Sequence, residues 1–340
     1  MFTRRILCIL LLLTSPAFAA DPPLPALVTK IAFGSCLRQD RPAPIFDTLT
    51  TSAPDVFVWL GDNIYGDSDD PAVIKAKYDQ LGAIEGFEKL RAAVPFLYAW
   101  DDHDFGSNDA GAEYAFKDQN KHLMLDFFGE PTDSARRRRD GNYDAVVIGP
   151  QGKRVQFILL DTRSFRSPLK TEVRAKKKWS VPNDDPNVTV LGDAQWQWLE
   201  EQLDEPADVR IICSSIQVLA TQHRFEKWAN FPRERERLLK LLDDKIKTPY
   251  FILSGDRHHA SFHTLNDKVF ELTASSLNQG GTPTPEDLSD PRAHGGHFGG
   301  VNFGWIEIDW TRWPGTTVMQ IRDGQGKPVI ERQFTLPAGP

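Results

Sequence analysis

The segment Val56–Leu60, with the sequence Val-Phe-Val-Trp-Leu, is followed directly by the polar segment Gly61-Asp62-Asn63-Ile64-Tyr65. Five consecutive apolar residues without alternation are typical of a strand that is buried on both faces. Other short apolar runs also end abruptly in polar residues, at residues 28–33, 94–100, 155–160, 209–212 and 250–253. This repetition predicts a sheet of buried strands whose polar residues gather at one edge.

Helical patterns lie between these runs, near residues 72–81, 113–128, 193–203 and 233–245. Alternating strands and helices indicate a layered α/β fold. After about residue 265 the pattern changes to shorter β-like runs, at residues 269–274, 304–309, 316–322 and 329–334. We expect these late strands to form a second sheet that packs on the first. Residues 181–187 and 280–300 are predicted to be long loops, which are often functional.

The first twenty residues have the pattern of a secretory signal peptide. Arg4 and Arg5 precede an apolar run at residues 6–13, and a small-residue cleavage site follows at residues 17–19. That run is too short to cross a bilayer, and no later stretch approaches the roughly 20 apolar residues of a transmembrane helix. We expect an exported protein, periplasmic or secreted, without a transmembrane anchor. The sequence leaves the Tat and Sec routes open.

Charge and cysteine content exclude other classes of protein. The formal net charge is -7 at pH 7, which argues against nucleic-acid binding because that function uses a basic face. The chain has three cysteines, of which Cys8 lies in the predicted leader, so a disulfide framework is excluded. Two alternatives stay open for Cys36 and Cys213: they form one bridge, or one of them is held as a thiolate by a metal.

Two strand-end segments concentrate acidic residues and histidines. In Trp100-Asp101-Asp102-His103-Asp104, three carboxylates surround one imidazole and would repel one another without a cation or a proton. In Ser254-Gly255-Asp256-Arg257-His258-His259, an aspartate and a histidine two residues apart can reach the same cation. With Asp62, which follows another buried strand, these segments predict a metal centre at the sheet edge.

Cys36 ends the run at residues 31–36 and is the candidate for a soft metal ligand. A cysteine-dependent phosphatase is the competing reading, and it needs an arginine six residues after the nucleophile. Pro42 and Leu219 occupy those positions after Cys36 and Cys213. The spacing therefore excludes that chemistry for both cysteines.

These segments resemble, in this order, the alkaline phosphatase D (PhoD-like) branch of the metallophosphoesterases. The matching segments are Gly34-Ser35-Cys36, Gly61-Asp62-Asn63-Ile64-Tyr65, Trp100-Asp101-Asp102-His103-Asp104 with Asn108-Asp109, Leu160-Asp161-Thr162-Arg163-Ser164-Phe165-Arg166, Leu191-Gly192 with Gln195 and Trp198-Leu199, Ser215-Ile216-Gln217-Val218, and Ser254-Gly255-Asp256-Arg257-His258. They extend from residue 31 to about 310, and their order and spacing carry the resemblance. Residues 1–20 are thus assigned to a signal peptide and residues 21–340 to a single domain of this family.

The resemblance implies a four-layer α/β/β/α sandwich, with two mixed sheets between helices and a dinuclear metal site at the sheet edges. The implied metal ligands are Cys36, Asp62 as the bridge, Asp102, Asn108, Gln217, Asp256 and His258. Better-described members have a tyrosine ligand two residues after the cysteine, where this sequence has Arg38. Either water or Asn63 substitutes in the first metal's shell, or the metal differs and Arg38 faces the substrate phosphate.

The resemblance also implies an exported hydrolase of phosphoric esters that uses two metal ions, iron with calcium, with zinc, manganese or magnesium as alternatives. In the expected mechanism, metal-bound hydroxide attacks phosphorus and His103, oriented by Asp104, protonates the departing oxygen. Arg163, Arg166 or Arg257 could clamp the phosphate oxygens. For Arg163 and Arg166, which follow a strand end, a surface salt bridge is an equally open alternative. We expect a monomer whose substrate is a small phosphoester, a cell-envelope polymer or a lipid head group.

Two other functions stay open. The chain could be a phospholipase D-like or teichoic-acid-type phosphodiesterase, or a noncatalytic, calcium-stabilised surface binding protein. His103 argues against the second, because a binding module has no need for a histidine beside a ligand carboxylate. Basic residues at 136–139 and 176–178 either bind a polyanionic substrate or form solvated surface.

Overall fold

The computed structural model describes residues 22–312 and 316–335. The predicted signal peptide at residues 1–20 lies outside the described residues. Within those two ranges, no helix has the length and apolar character that crossing a membrane requires.

The strands of the described chain are β1 (Lys30–Gly34), β2 (Val56–Leu60), β3 (Phe96–Ala99), β4 (Asp144–Ile148), β5 (Val155–Leu159), β6 (Thr171–Arg174), β7 (Lys177–Ser180), β8 (Val209–Cys213), β9 (Tyr250–Ser254), β10 (Ala260–Asn266), β11 (Val269–Thr273), β12 (His297–Phe298), β13 (Asn302–Ile308), β14 (Thr316–Asp323) and β15 (Pro328–Thr335). The α-helices are α1 (Ile45–Ser52), α2 (Pro71–Gly82), α3 (Glu85–Ala93), α4 (Asp102–Phe105), α5 (Lys117–Phe127), α6 (Ala135–Arg138), α7 (Gly192–Asp204), α8 (Pro232–Lys245) and α9 (Pro285–Leu288).

The strands form two large mixed sheets and one small hairpin. The first sheet has the order β15-β14-β13-β1-β2-β3, and the second has the order β12-β10-β11-β9-β8-β5-β4. Strands β1, β2 and β3 are parallel, as are β5, β8, β9 and β11. Strands β6 and β7 pair only with each other. In each large sheet, the parallel strands therefore end at one common edge.

Alternation along β2 shows how the layers are built. Val56, Val58 and Leu60 belong to the apolar core between the two sheets, whereas Phe57 and Trp59 pack with helices α1, α2, α3 and α5 on the outer face of the first sheet. Helices α7 and α8 cover the outer face of the second sheet in the same way. The predicted four-layer α/β/β/α sandwich is confirmed, and its strands are apolar on both faces because both faces are covered.

The expectation that the late strands form a sheet of their own is wrong. Strands β13, β14 and β15 extend the first sheet, with β13 antiparallel to β1, while β11 joins the second sheet parallel to β9. An apolar run indicates that a segment is a strand, but its partner is set by long-range packing. Gly304 on β13 illustrates this, because a Cβ atom at that position would collide with the ring of Phe33 on β1.

The other predictions of local structure hold for the long elements. Each predicted helix is present within a few residues, as α2, α5, α7 and α8, and each early apolar run is a strand. Residues 181–187 lack regular structure, whereas the stretch at residues 280–300 contains α9 and β12. The short helices α1 and α3 and the hairpin of β6 and β7 were not predicted, because eight or nine residues with mixed polarity give a weak periodic signal.

Replacing Trp59 by alanine should lower the free energy of unfolding by about 3–5 kcal/mol, because it leaves a large cavity in a packed core. The indole is fully buried, with its ring centroid 5.1 Å from that of Phe57 and 6.0 Å from that of Phe87. Urea unfolding followed by circular dichroism measures the change. Val173→Ala is the control: this side chain is 78% exposed, so we expect a change within about 0.5 kcal/mol.

Candidate metal centre

The candidate site lies where strand ends of the two large sheets meet. Cys36 and Asp62 follow β1 and β2 of the first sheet, and His258 follows β9 of the second. The hydroxyl of Ser275, which follows β11, lies 3.1 Å from the Cys36 sulfur and accepts the backbone N–H of His258 at 2.9 Å. One serine therefore ties the two sheets together at the site.

The backbone of the site is unusual. Several non-glycine residues have positive φ angles, namely Cys36 (59°), Asp62 (50°), Asp109 (59°), Asp256 (67°) and His258 (56°). Residues other than glycine rarely adopt this left-handed backbone conformation, and backbone strain of this kind concentrates at functional sites. The strand ends are thus held in conformations that only the surrounding packing can maintain.

Gly61 brings the ends of β2 and β3 together. Its φ is 96°, and a Cβ atom there would lie 2.5 Å from the backbone nitrogen of Asp101. Only glycine permits both the dihedral angle and the close approach. As a result, the carboxylate of Asp62 lies beside the segment that carries Asp102.

Cys36, Asp62 and His258 form the first group of candidate ligands, and their donor atoms all lie within 4.8 Å of one another. The Cys36 sulfur is 3.3 Å from Asp62 Oδ2. Burial raises the pKa of the Cys36 thiol to about 11 and lowers the pKa of His258 to about 4. The imidazole is therefore neutral and can ligate, and a bound metal would favour the thiolate.

The phenol of Tyr65 joins this group, although the sequence analysis did not name it as a ligand. Its oxygen lies 2.8 Å from His258 Nε2 and 3.4 Å from Asp62 Oδ2. With Arg38 at the position of the family's tyrosine, water or Asn63 was expected to complete the shell of the first metal, and the structure brings Tyr65 to these residues. Arg38 instead pairs with Asp40 at 2.9 Å. The three-residue spacing from Asp62 to Tyr65, within a segment already singled out, was the available signal.

A second group shares Asp62 with the first, and a third group shares Asp102 with the second. Asp62 also groups with Asp102 and His103, and Asp102 groups with Asp101 and Asp256, in each case with donor atoms within 4.8 Å. Asp62 thus lies between the sulfur-containing group and the carboxylate groups. This is the position that a bridging ligand between two cations would take.

Burial makes the negative charges of this cluster costly. It raises the pKa of Asp62 and Asp101 well above the ordinary range of an aspartate, and it raises the pKa of Asp256 to about 7. For Asp102 burial acts in the same direction, but the positive charges of Arg163 and His103 and the hydrogen bond from the Asp109 N–H together outweigh it and lower the pKa. The buried atoms Asp101 Oδ2 and Asp102 Oδ1 have no hydrogen-bond partner within the described chain. Oxygen-rich donors with unused lone pairs fit metal cations.

His103 lies at the entrance of the site, with its Nδ1 atom 2.6 Å from Asp67 Oδ1. Burial disfavours the protonated imidazole, but the negative charges of Asp62, Asp67 and Asp102 outweigh that effect and raise the pKa of His103 to about 10. The ring also packs on Tyr65, with 4.1 Å between centroids. The carboxylate of Asp67 and the ring of Tyr65 together hold the imidazole in place.

Asp104 does not orient His103, contrary to the prediction. Its carboxylate is fully buried and accepts the side-chain amide of Asn63 and the backbone N–H of Asp101, each at 2.6 Å. Asp104 therefore links the ends of β2 and β3 by hydrogen bonds. The contact with the His103 ring, which was expected of Asp104, is made by Asp67.

Arg163 is a buried structural cation and not an exposed phosphate clamp, which corrects the sequence prediction. Its guanidinium is fully buried and donates to Asp101 Oδ1 at 2.6 Å and to Glu226 Oε2 at 2.6 Å. Arg166 completes the network through Glu226 Oε1 at 2.7 Å. The two guanidinium groups therefore neutralise carboxylates beneath the site.

Gln217 is also placed differently from the prediction. Its amide nitrogen donates to Ser261 and Thr273, and its oxygen accepts from His223 at 2.9 Å, so the amide of this buried side chain is hydrogen-bonded to other side chains at both ends. The alternative of a disulfide between Cys36 and Cys213 is wrong, because both cysteines are free. Cys36 follows β1 of the first sheet, whereas Cys213 is the last residue of β8 in the second.

A cleft of about 380 Å³ opens over the carboxylate groups. Predicted residues that line it include Asp102, His103, Asn108, Asp256, Arg257 and His258. Arg257 is paired with both oxygens of Asp287 at 3.0 Å, so its charge is already compensated. The lining also contains residues that were not predicted as site residues, namely Asp109, Ser180, Arg224, Phe225, Glu226, Gly281, Thr282 and Thr284. Lys178, from the basic run at residues 176–178 that was considered for binding a polyanion, lines it too.

The fold is that of solved phosphatases. The chain is similar to the solved structure of PhoD with a TM-score of 0.73 at 16% identity, covering 94% of this chain and 70% of that one. It is similar to a dimetal phosphatase from Danio rerio with a TM-score of 0.59 at 15% identity, covering 91% and 99% of the two chains. At these identities the likeness shows the fold alone.

The sequence identifies the family more narrowly. Residues 31–309 match the PhoD-like phosphatase family, and the chain belongs to that family. It is also 25% identical over 243 residues to alkaline phosphatase D of Bacillus subtilis. That match covers 60% of this chain and 40% of the relative, so the chain spans less than half the length of the curated relative. The family resemblance drawn from the motifs is confirmed.

Replacing Arg163 by methionine should lower the free energy of unfolding by about 3–5 kcal/mol, because it leaves Asp101 as a buried charge without a cation and leaves Glu226 with Arg166 as its remaining partner. Chemical denaturation measures the loss. Arg174→Met is the matched control: its ion pair with Glu172 is about half exposed, so we expect less than about 1 kcal/mol. Unchanged stability combined with weaker substrate binding would restore the phosphate-clamp role of Arg163.

Proposed function

We propose that this chain is a metal-dependent hydrolase of phosphoric esters. The observation that carries the proposal is the position of Asp62, which belongs both to the group with Cys36 and His258 and to the group with Asp102 and His103. Two cations sharing one carboxylate would lie close enough to act on the same phosphate. Membership of the PhoD-like phosphatase family supports this reaction class.

We propose that Cys36, Asp62, Tyr65 and His258 hold one metal, and that Asp62, Asp102 and Asp256 contribute to the second. Bound cations would supply an activated water and neutralise the phosphate charge. Sulfur, phenol and imidazole donors suit iron or zinc, whereas a carboxylate-rich set suits calcium, magnesium or manganese. Iron with calcium remains our proposal for the pair.

The proposed role of His103 is to donate a proton to the departing oxygen. Its ring lines the cleft beside Asp102 and is fixed by the 2.6 Å contact with Asp67 and by packing on Tyr65. Asp67 is a positioning residue, since it acts through the imidazole. A noncatalytic binding protein would need no such pair, so the pair favours an enzyme.

We propose that the chain is exported, because residues 1–20 have the pattern of a signal peptide. Periplasmic and secreted destinations both fit this pattern. Activity toward a lipid head group or a cell-envelope polymer would require such a location.

Asp62→Asn should abolish stoichiometric metal binding and lower activity by more than about 100-fold, because ligands contribute more than the outer-shell partners whose loss costs about 10–100-fold. Elemental analysis of the purified protein and a phosphate-release assay measure the two effects. Cys36→Ala and Tyr65→Phe should weaken retention of the first metal selectively.

Asp79→Asn is the control for that experiment, because it removes the same charge from an exposed position on α2 and should keep both metal and activity. A wild-type protein without stoichiometric metal, or an Asp62→Asn variant with full activity, would defeat the proposal.

Asp67→Asn should keep the metal content but lower kcat for methyl phosphate by about 10- to 100-fold, because the imidazole loses its orientation as a general acid. The loss for 4-nitrophenyl phosphate should be much smaller, since 4-nitrophenolate leaves without a proton. Steady-state kinetics on the two substrates measure the difference.

Asp69→Asn, in the same loop, is the matched control and should affect neither substrate. An equal loss on both substrates in Asp67→Asn would mean that Asp67 only maintains local structure.

A further inference from the structure

Arginines around the cleft differ in how their charges are compensated. Arg163 and Arg166 pair with buried carboxylates, and Arg257 pairs with Asp287. For Arg224, which also lines the cleft, no carboxylate oxygen lies within 4.0 Å among residues 22–312 and 316–335. The guanidinium of Arg224 is therefore available to a negatively charged ligand.

Arg224 is nevertheless held in place. Its guanidinium carbon lies 4.1 Å from the centroid of the Phe225 ring, which also carries the guanidinium of Arg257 at 4.2 Å. Its Nη1 atom donates to the backbone oxygen of Lys178 at 3.2 Å. A cation fixed by an aromatic ring and one neutral acceptor keeps its charge and loses little freedom on binding an anion.

Lys178 lines the same wall of the cleft, and although it is paired with Asp109, its side chain is 60% exposed and can contact a second anion. It belongs to β7, and its Nζ atom lies 3.6 Å from Asp109 Oδ2. Asp109 groups with Asp102 and Glu226 but not with Asp62. Lys178 therefore lies beyond the Asp102 end of the cluster, away from the proposed bridging carboxylate.

We propose that Arg224 and Lys178 form a second anion subsite, which binds a negatively charged group of the substrate that is not itself hydrolysed. This inference rests on the proposed function, because it presumes that the scissile phosphate lies at the metal ligands. A cleft of about 380 Å³ is large enough for more than one phosphate group. The preferred substrates are thus phosphoric esters that carry a second phosphate or carboxylate.

Two chromogenic esters that differ only in a second phosphate test the subsite. Thymidine 5′-(4-nitrophenyl phosphate) is compared with the same ester carrying a 3′-phosphate, and initial release of 4-nitrophenolate reports cleavage at the 5′ position in both. The wild-type enzyme should favour the 3′-phosphorylated ester by about tenfold in kcat/KM, the size of one charge-assisted contact. Arg224→Gln, which keeps a donor for the Lys178 carbonyl, should reduce that ratio to about two or less.

Matched variants separate a local contact from a general effect of charge. Arg224→Lys should keep a ratio between those of the wild type and Arg224→Gln. Lys177→Gln removes one positive charge from the neighbouring position of the same hairpin, outside the cleft lining, and should keep the wild-type ratio. Raising the salt concentration should lower the ratio, because the side chain of Lys178 is 60% exposed.

Other outcomes would overturn the subsite. Absence of any preference in the wild type would do so, as would an equal loss on both esters in Arg224→Gln, which would assign Arg224 to the scissile phosphate. If neither ester is cleaved, the proposed function fails on these substrates, and binding measured by calorimetry then tests the subsite on its own. Thymidine 3′,5′-bisphosphate should then bind the wild-type protein about tenfold more tightly than thymidine 5′-monophosphate does, and Arg224→Gln should abolish that difference.

Discussion

Several carboxylates are buried together at one edge of the sandwich, and the rest of the site depends on how their charges are compensated. Asp101 and Asp102 follow β3, while Asp62 follows β2, so parallel pairing of these strands forces the three side chains together. Uncompensated, such charges would cost several kcal/mol each. Arg163 supplies part of the compensation from beneath, by donating to Asp101. The atoms that it leaves without a partner, Asp101 Oδ2 and Asp102 Oδ1, are the ones that a cation would use. Arg163 therefore compensates part of the negative charge of these carboxylates, and a bound ligand would have to compensate the rest.

The backbone around the buried carboxylates is held in place by packing from both sheets. Left-handed backbone at Cys36, Asp62 and His258 is unfavourable, and such conformations persist only when packing determines them from several sides. The core between the two sheets provides this packing, and Ser275 couples Cys36 to His258 by hydrogen bonds. Gly61 has the complementary role, since its missing side chain allows the ends of β2 and β3 to approach. Cys36, Asp62 and His258 are brought together because they lie where the two sheets meet, an arrangement that no single strand could provide.

Local signals in the sequence predicted the strands, the main helices and the residues at strand ends, because each depends on a few adjacent positions. Interactions between distant segments were not predictable in the same way. The late strands joined both sheets, since an apolar run does not specify its partner. The resemblance assigned Asp104 to orient His103, yet adjacent residues on a helix point in different directions, and Asp67 makes the contact. Arg163 lay in a family motif, but spacing does not reveal whether a guanidinium is buried. No pattern in the sequence pointed to Arg224. Its contacts with Phe225 and Lys178, and that of Arg257 with the same ring, form only when distant segments fold together.

The net charge of the chain does not describe the charges around the cleft. The chain is acidic as a whole, but the hairpin of β6 and β7 carries a basic run at residues 176–178 and pairs with neither large sheet. Its two turn residues, Ala175 and Lys176, have φ angles of 48° and 63°, the conformation that suits the right-handed twist of a two-residue hairpin. The turn fixes the register in which Lys178 faces Val173, and the bond from Arg224 to the Lys178 carbonyl ties the hairpin to the loop after β8. The hairpin thus places Lys178 at the cleft and Arg224 is bonded to it, so two positive groups lie at one wall of a cleft in a chain that is acidic as a whole. Because charges at the surface are screened within about a Debye length, these two groups act on a ligand inside the cleft and hardly on distant anions.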